Sequence, residues 1–124
     1  MDTSLDACEY IKKIEKNKKL YKIFANEGDF SSFVSPVSIF IAGSPGAGKT
    51  ETSKYLIATI KKEVFKEYKI HYPIVRIDAD EIRELCPGYN GSNANLYQRA
   101  ASLGVDKLID YVNKKRYNVI VEIF

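Results

Sequence analysis

The segment from Gly43 to Thr50 constrains the fold more than any other part of the chain, because it reads Gly-Ser-Pro-Gly-Ala-Gly-Lys-Thr. This is the G-x-x-x-x-G-K-[ST] spacing of a loop that binds nucleoside triphosphates. Glycines at both ends let the backbone turn tightly and approach a phosphate, and successive N–H groups form a concave anion-binding surface. In such loops the lysine, here Lys49, contacts the β- and γ-phosphates, and the threonine hydroxyl holds Mg²⁺.

The residues on either side of this loop have the pattern of a strand and a helix, which the motif requires. Residues 37–42 form a short apolar, β-branched run that is typical of a buried parallel strand. Residues 51–64 have helical spacing, with Leu56, Ile60 and Val64 as the predicted buried stripe. We therefore predict ATP and Mg²⁺ as cofactors. The predicted nucleotide-binding residues are Gly43, Ser44, Pro45, Gly46, Ala47, Gly48, Lys49 and Thr50.

Composition limits the other functions open to the chain. Its 124 residues suffice for one small domain, and a net charge of +3 is too small to indicate a nucleic-acid partner. No stretch is apolar enough to span a membrane, and the N-terminus does not resemble a signal peptide. Cys8 and Cys86 form no disulfide framework, and His71 is the single histidine. We therefore expect a cytoplasmic protein that binds neither nucleic acid nor a membrane.

The order of the predicted elements indicates a parallel α/β fold. Residues 1–34 form an N-terminal helical segment, with a helix predicted over residues 4–25. The second part, residues 35–124, carries the loop and its strand, then a strand at 74–78, a helical turn at 81–85, a helix at 94–115 and a strand at 119–124. Such alternation predicts parallel strands joined by right-handed crossovers. The N-terminal helix is expected to pack against the sheet, with binding to a partner protein as the alternative.

The helix predicted over residues 94–115 has one apolar side that is expected to face the core. Gly104 is expected to weaken the middle of this helix, since glycine is a poor helix former. The predicted buried residues are Leu96, Ala100, Leu103, Leu108, Ile109 and Val112.

Three acidic residues stand near the ends of the second and third strands. Asp78 and Asp80 follow the second strand, and Glu122 lies near the end of the third. Because ligands of open parallel sheets bind beyond the carboxyl ends of the strands, these side chains are expected near the loop. Phosphoryl transfer to a hydroxyl needs a group that accepts the proton and a group that holds the metal. Asp80 and Lys49 are therefore the candidate catalytic residues, and Thr50, Asp78 and Glu122 are the candidates at the metal.

Each carboxylate also has a second interpretation. Period-two alternation predicts that Asp78 and Asp80 face the same way. Asp78 and Glu122 would orient the direct ligands of the metal by hydrogen bonds, or they would bind the acceptor. Asp80 could instead be the N-cap of the helical turn at 81–85, a position that aspartate favours. A purely structural role is the alternative for Asp78 as well.

Three segments together resemble the zeta-toxin family of P-loop kinases, the toxins of bacterial toxin–antitoxin pairs. Residues 38–50 look like the family's opening segment. Residues 75–83, followed by Cys86-Pro87, are similar to its second motif, in which an aspartate after the strand is the proposed base. Residues 117–122 resemble the third motif, in which an acidic residue ends the strand. By that match Asp80 carries the base role, and the resemblance covers residues 37–124.

The resemblance implies a fold and an activity. The fold is an α/β three-layer sandwich of the P-loop NTPase type with a parallel sheet, of which residues 35–124 would hold about three strands. The activity is phosphorylation, with ATP and Mg²⁺, of the 3′-hydroxyl of the sugar in UDP-N-acetylglucosamine. The implied partner is a cognate antitoxin protein. The alternatives are another P-loop small-molecule kinase, and a non-catalytic nucleotide-binding remnant that acts as an interaction module.

The chain also departs from the family pattern. Ile123-Phe124 follow the third acidic residue, where the family usually has Gly-Thr. Family members continue with further strands, a lid and phosphate-clamping arginines, and the arginines here lie at other positions: Arg76, Arg83, Arg99 and Arg116. We therefore expect the 124 residues alone to be an inactive N-terminal part of such a kinase. Its first strand would be an exposed apolar edge that lowers solubility.

Overall fold

A three-stranded parallel sheet with helices on both faces forms the framework of the protein in a computed structural model that describes residues 3–43 and 47–123. In chain order the elements are α1 (Thr3–Lys16), α2 (Lys19–Ala25), a 3₁₀ turn (Glu27–Asp29), β1 (Ser38–Ala42), α3 (Lys49–Tyr68), β2 (Ile74–Asp78), α4 (Ala79–Leu85), a second 3₁₀ turn (Ala94–Tyr97), α5 (Gln98–Lys115) and β3 (Asn118–Ile123). The predicted α/β class is confirmed.

The strand order is β1-β3-β2, and both pairs are parallel, as predicted. β3 is the central strand and is buried along nearly its whole length, which explains its almost continuous apolar sequence. Its register places Glu122 between Ile41 of β1 and Asp78 of β2. Because side chains alternate along a strand, Glu122 and Ile120 lie on one face and Val121 on the other.

The main hydrophobic core lies on the Val121 face, under α1, α2, α4 and α5. Its fully buried members include Ile11, Leu20, Val75, Ile77, Ile82, Leu108 and Val121. Gly104, predicted to weaken α5, has a packing role here. A Cβ atom at this position would lie 2.7 Å from Cγ2 of Ile82, so glycine permits the close contact of α5 with α4.

The predicted single N-terminal helix over residues 4–25 is instead two helices, α1 and α2. The side chain of Asn17 accepts a 3.0 Å hydrogen bond from the backbone N–H of Lys19, and Lys18 adopts a left-handed backbone with φ of 70°. Such a local side-chain bond competes with the helical hydrogen bonds. α1 packs mainly on α5, and α2 contacts both α5 and β2.

Helix α3 is longer than predicted, and its stripe of Leu56, Ile60 and Val64 is half-buried instead of buried. The reason is the position of β1 at the edge of the sheet, where α3 packs on β1 and β3. Within residues 3–43 and 47–123, β3 is the hydrogen-bonded neighbour of β1, and Phe40 is 54% exposed. The pattern of a buried strand at residues 37–42 is therefore misleading, because β1 has no buried residue and lies at the edge of the described sheet, as the prediction of an exposed edge had it.

Other boundaries differ by a few residues. The helical turn predicted at 81–85 begins at Ala79, and α5 begins at Gln98 after a 3₁₀ turn, so that Leu96 is exposed instead of buried. Phe124, predicted to end the third strand, lies outside the described residues. In the part of the chain described here, no helix is both long and apolar enough to cross a membrane.

Candidate active site at the carboxyl edge of the sheet

The glycine-rich loop joins β1 to α3 at the carboxyl edge of the sheet. Gly48 precedes the first turn of α3 with a φ of 81°, a left-handed conformation that glycine adopts without strain. Helix α3 begins at Lys49, so its N-terminal N–H groups face the loop. The predicted binding residues Ser44, Pro45 and Gly46 lie outside the described residues. The others stand at the end of β1 or the start of α3: Gly43, Ala47, Gly48, Lys49 and Thr50.

Lys49 places its ammonium group between the ends of two strands. Its Nζ donates to the carbonyl oxygen of Gly43 at 2.7 Å and to that of Ile123 at 3.3 Å. The backbone N–H of Gly43 also donates to the Ile123 carbonyl, at 3.3 Å. A positive charge is thereby held at the edge where the loop would receive phosphates.

Glu122 is the buried acceptor at the centre of the site, with 2% of its surface exposed. The hydroxyl of Thr50 donates to Oε1 at 2.9 Å, and the hydroxyl of Ser53 donates to Oε2 at 2.7 Å. Thr50 and Ser53 are three residues apart on α3, so both hydroxyls lie on the helix face that meets β3. The predicted proximity of Thr50 and Glu122 is therefore present in the structure.

Arg76 of β2 connects several of these groups. Its Nε lies 2.6 Å from Oε2 of Glu122 and 3.1 Å from the hydroxyl of Ser53. One terminal nitrogen donates to Asp78 at 3.1 Å and to the Thr50 hydroxyl at 3.3 Å, and the other contacts Glu81 at 2.7 Å. Burial acts to lower the pKa of Arg76, but the three carboxylates outweigh it and hold the pKa above its ordinary value.

Asp78 is the N-cap of α4, and the prediction that Asp80 could fill this role is wrong. Asp78 keeps an extended backbone at the end of β2, and its Oδ1 accepts a 2.9 Å hydrogen bond from the backbone N–H of Asp80. Burial raises the pKa of the Asp78 carboxyl, the bond from Asp80 opposes this, and the negative charges of Glu122, Asp80 and Glu81 add to the rise.

Asp80 belongs to a second group on α4 and α5. It lies in the first helical turn, so the predicted strand-like alternation with Asp78 does not apply. Its carboxylate pairs with the guanidinium of Arg83, and Arg83 also donates to the side-chain oxygen of Gln98 on α5. Arg83 is buried, whereas the side chain of Asp80 is 45% exposed. Asp80 is therefore oriented from one side and open to a ligand on the other.

Two cavities differ in their relation to this site. The first cavity has a volume of about 270 Å³ and lies where the start of α4, the start of α5 and the end of β3 meet. Its lining residues are Ala79, Gln98, Ser102, Val105, Asp106 and Ile123. It adjoins the Asp80 group through Gln98. Another, of about 400 Å³, lies between α2 and the C-terminal end of α5, beside Tyr21 and Tyr111. Because α5 ends just before β3 begins, this second cleft lies at the opposite edge of the sheet from the loop.

The residues present fit Mg²⁺ bound together with a nucleotide. Among the described residues, no group of three or more His, Cys, Asp or Glu side chains could hold a metal. Mg²⁺ at phosphate sites commonly takes one or two protein ligands, with phosphate oxygens and water completing its shell. The Thr50 hydroxyl donates a hydrogen bond to Glu122, and its oxygen, which accepts from Arg76 at 3.3 Å, keeps one lone pair for such an ion.

Two residues of this site, Ser53 and Arg76, were not predicted from the sequence. Both had a signal in the spacing. Ser53 stands three residues after Thr50, which is the same helix face, and Arg76 stands two residues before Asp78, which is the same strand face. A serine one turn after Thr50 and an arginine within an otherwise apolar strand together indicate a buried polar cluster.

Comparisons with known proteins agree with this architecture. A family model described as zeta toxin matches residues 21–123. A solved structure from a study of the PezAT chromosomal toxin–antitoxin system of Streptococcus pneumoniae superposes with a TM-score of 0.60 at 21% sequence identity. The match covers 98% of this chain and 47% of that chain, so this chain spans about half the length of its structural neighbour. The comparison with curated proteins finds no match.

Proposed function

Because the chain belongs to the zeta toxin family, we propose that it carries the ATP-binding and base-bearing part of a kinase. This kinase transfers the γ-phosphoryl group of ATP to a hydroxyl of a small molecule. The observation that supports the proposal best is the 2.9 Å hydrogen bond from the hydroxyl of Thr50, the last residue of the loop motif, to Glu122 at the end of β3. In P-loop NTPases the Ser or Thr of the loop and an acidic residue elsewhere in the site hold Mg²⁺.

Each residue has a proposed role in the transfer. Lys49 binds the β- and γ-phosphates and offsets the charge that develops on the transferring group. Thr50 holds Mg²⁺, and Glu122 orients the Thr50 hydroxyl. Asp80 accepts the proton of the acceptor hydroxyl while that oxygen bonds to the γ-phosphorus and ADP departs. When bound, Mg²⁺ supplies charge neutralisation at the phosphates.

The acceptor proposed first is UDP-N-acetylglucosamine, by membership of the family. The 270 Å³ cavity supports an acceptor on the α4–α5 side, because it adjoins the Asp80 group and is lined by the polar side chains of Gln98, Ser102 and Asp106. We place the reaction in the cytoplasm, where ATP is available. The structural neighbour comes from a toxin–antitoxin system, and an antitoxin protein is accordingly the proposed partner.

The experiment that tests this function measures phosphorylation directly. The natural polypeptide that contains this chain is incubated with ATP, Mg²⁺ and UDP-N-acetylglucosamine, and products are followed by ³¹P NMR and mass spectrometry. We expect ADP and a singly phosphorylated sugar nucleotide in equal amounts. If ADP forms only when another hydroxyl compound replaces UDP-N-acetylglucosamine, the protein is still a kinase, but the proposed acceptor is wrong. Nucleotide binding without any transfer would contradict the kinase and favour the interaction module.

A further inference from the structure

The carboxylates of Asp78 and Glu122 have no oxygen left without a hydrogen-bond donor. In Glu122, Oε1 accepts from Thr50, and Oε2 accepts from Ser53 and lies 2.6 Å from Arg76. In Asp78, Oδ1 accepts from the backbone N–H of Asp80, and Oδ2 accepts from Arg76 at 3.1 Å. Only Oε2 of Glu122 has two donors, and the other three oxygens each keep a lone pair. These bonds orient the carboxylates, and the exclusion of a free metal ion therefore has to come from the charge of Arg76.

Arg76 is the cation that these two carboxylates share. Its guanidinium lies between them on the α3 face of the sheet, and its side chain is 15% exposed. A divalent ion close to this planar group would meet strong repulsion, because charges interact more strongly in a partly buried site than in water. Arginine also stays protonated at every pH at which the protein is folded.

We propose that Arg76 serves as an internal cation that keeps Asp78 and Glu122 as hydrogen-bond acceptors, so that a divalent ion reaches Thr50 only together with a nucleotide. Thr50 alone is a single neutral ligand and holds Mg²⁺ weakly without phosphate oxygens. The role of nucleotide in this inference rests on the proposed function, whereas the exclusion of free ions by Arg76 does not. Arg76 is on this view a positioning residue.

The test uses Mn²⁺ alone as the probe, with binding followed by loss of the free-ion EPR signal in the absence of nucleotide. The wild-type chain is compared with Arg76→Gln, which removes the charge and keeps a hydrogen-bond donor, and with Arg76→Lys, which keeps the charge. We expect Arg76→Gln to bind Mn²⁺ at least about tenfold more tightly than the wild type. Arg76→Lys should behave like the wild type, and Arg76→Gln combined with Glu122→Gln should lose the gain. A merely structural role of Arg76 would not create a cation site.

One result would overturn the inference: folded Arg76→Gln that binds Mn²⁺ no more tightly than the wild type. If circular dichroism shows that Arg76→Gln does not fold, Mn²⁺ binding by Glu122→Gln is compared with that of the wild type instead. Wild-type binding of Mn²⁺ that Glu122→Gln abolishes would make Glu122 a direct ligand and contradict the inference, and equal weak binding by both would support it.

Three further samples separate this inference from the proposed function. Mn²⁺ binding by the wild type is measured with and without ADP, against ADP and Mn²⁺ in the absence of protein. We expect ADP to create a protein-bound Mn²⁺ signal. Absence of ADP binding would contradict the proposed function, and the nucleotide-free samples would still decide the role of Arg76.

Discussion

Lys49→Ala should lower the affinity for ATP–Mg²⁺ by about 10²-fold, measured by isothermal titration calorimetry. The ammonium group of Lys49 lies at the carboxyl ends of β1 and β3, where the loop would place the β- and γ-phosphates. Hydrogen bonds to a charged group contribute about 1.5–3 kcal/mol each, and about 2.7 kcal/mol corresponds to a 10²-fold change. The loss should be smaller for adenosine, which has no phosphates.

Lys61→Ala is the matched control for this measurement. Lys61 is an exposed lysine on the same helix, three turns beyond the loop, and removal of its charge should leave the affinity unchanged. An affinity of Lys49→Ala equal to that of the wild type would contradict the assignment of residues 43–50 as the phosphate site. An equal loss in both variants would point to a general charge effect.

Asp80→Asn should lower the rate of phosphoryl transfer by about 10²-fold or more and leave the affinity for ATP nearly intact. Asparagine keeps the shape of the side chain and removes the proton acceptor. The pairing with Arg83 leaves one side of Asp80 open to the acceptor hydroxyl, so the effect should appear in turnover. The rate is measured with saturating ATP in the natural polypeptide that contains this chain.

Asp78→Asn is the informative comparison for Asp80→Asn. Asn also caps helices well, so the cap of α4 should survive this change. If Asp80 is the base, the loss of turnover should be much larger in Asp80→Asn than in Asp78→Asn. A larger loss in Asp78→Asn would reverse the proposed roles of the two carboxylates.

The parallel sheet could be predicted from the sequence because its strands are short apolar runs that alternate with helical segments. Residues 74–78 were predicted with the boundaries observed, and Pro73 marks the start of that strand. The loop motif is recognisable in the sequence because its four fixed positions, two glycines, a lysine and a threonine, are set by backbone geometry or by charge. Its role in binding phosphates stays a prediction. The meeting of Thr50 with Glu122 followed from the rule that the carboxyl ends of parallel strands share one edge.

Other features of the fold could not be predicted, because they depend on tertiary contacts that the hydrophobic periodicity of the sequence does not reveal. The break between α1 and α2 arises from one side-chain bond of Asn17. The half-burial of the α3 stripe arises from the edge position of β1, which only the strand order reveals. Gly104 could be predicted as a weak point of α5, but its contact with Ile82 depends on how α4 and α5 cross.

The division of the carboxylates between two arginines was the least predictable feature of the site. Asp78 and Asp80 are two residues apart, and the sequence offered no way to assign Arg76 to one and Arg83 to the other. The assignment results from the end of β2 at Asp78, where the chain changes from the period of a strand to that of a helix.

The central claim is that residues 43–50 and Glu122, which accepts a hydrogen bond from the Thr50 hydroxyl, form one nucleotide site. The most direct measurement is an NMR titration of the ¹⁵N-labelled chain with ADP and Mg²⁺, in which amide shifts are assigned residue by residue. We predict large shifts at Gly48, Lys49, Thr50 and Glu122, and none at Tyr21, Tyr111 or Lys115 around the second cleft. Shifts confined to that second cleft, or no shifts at the loop at millimolar nucleotide, would contradict the claim.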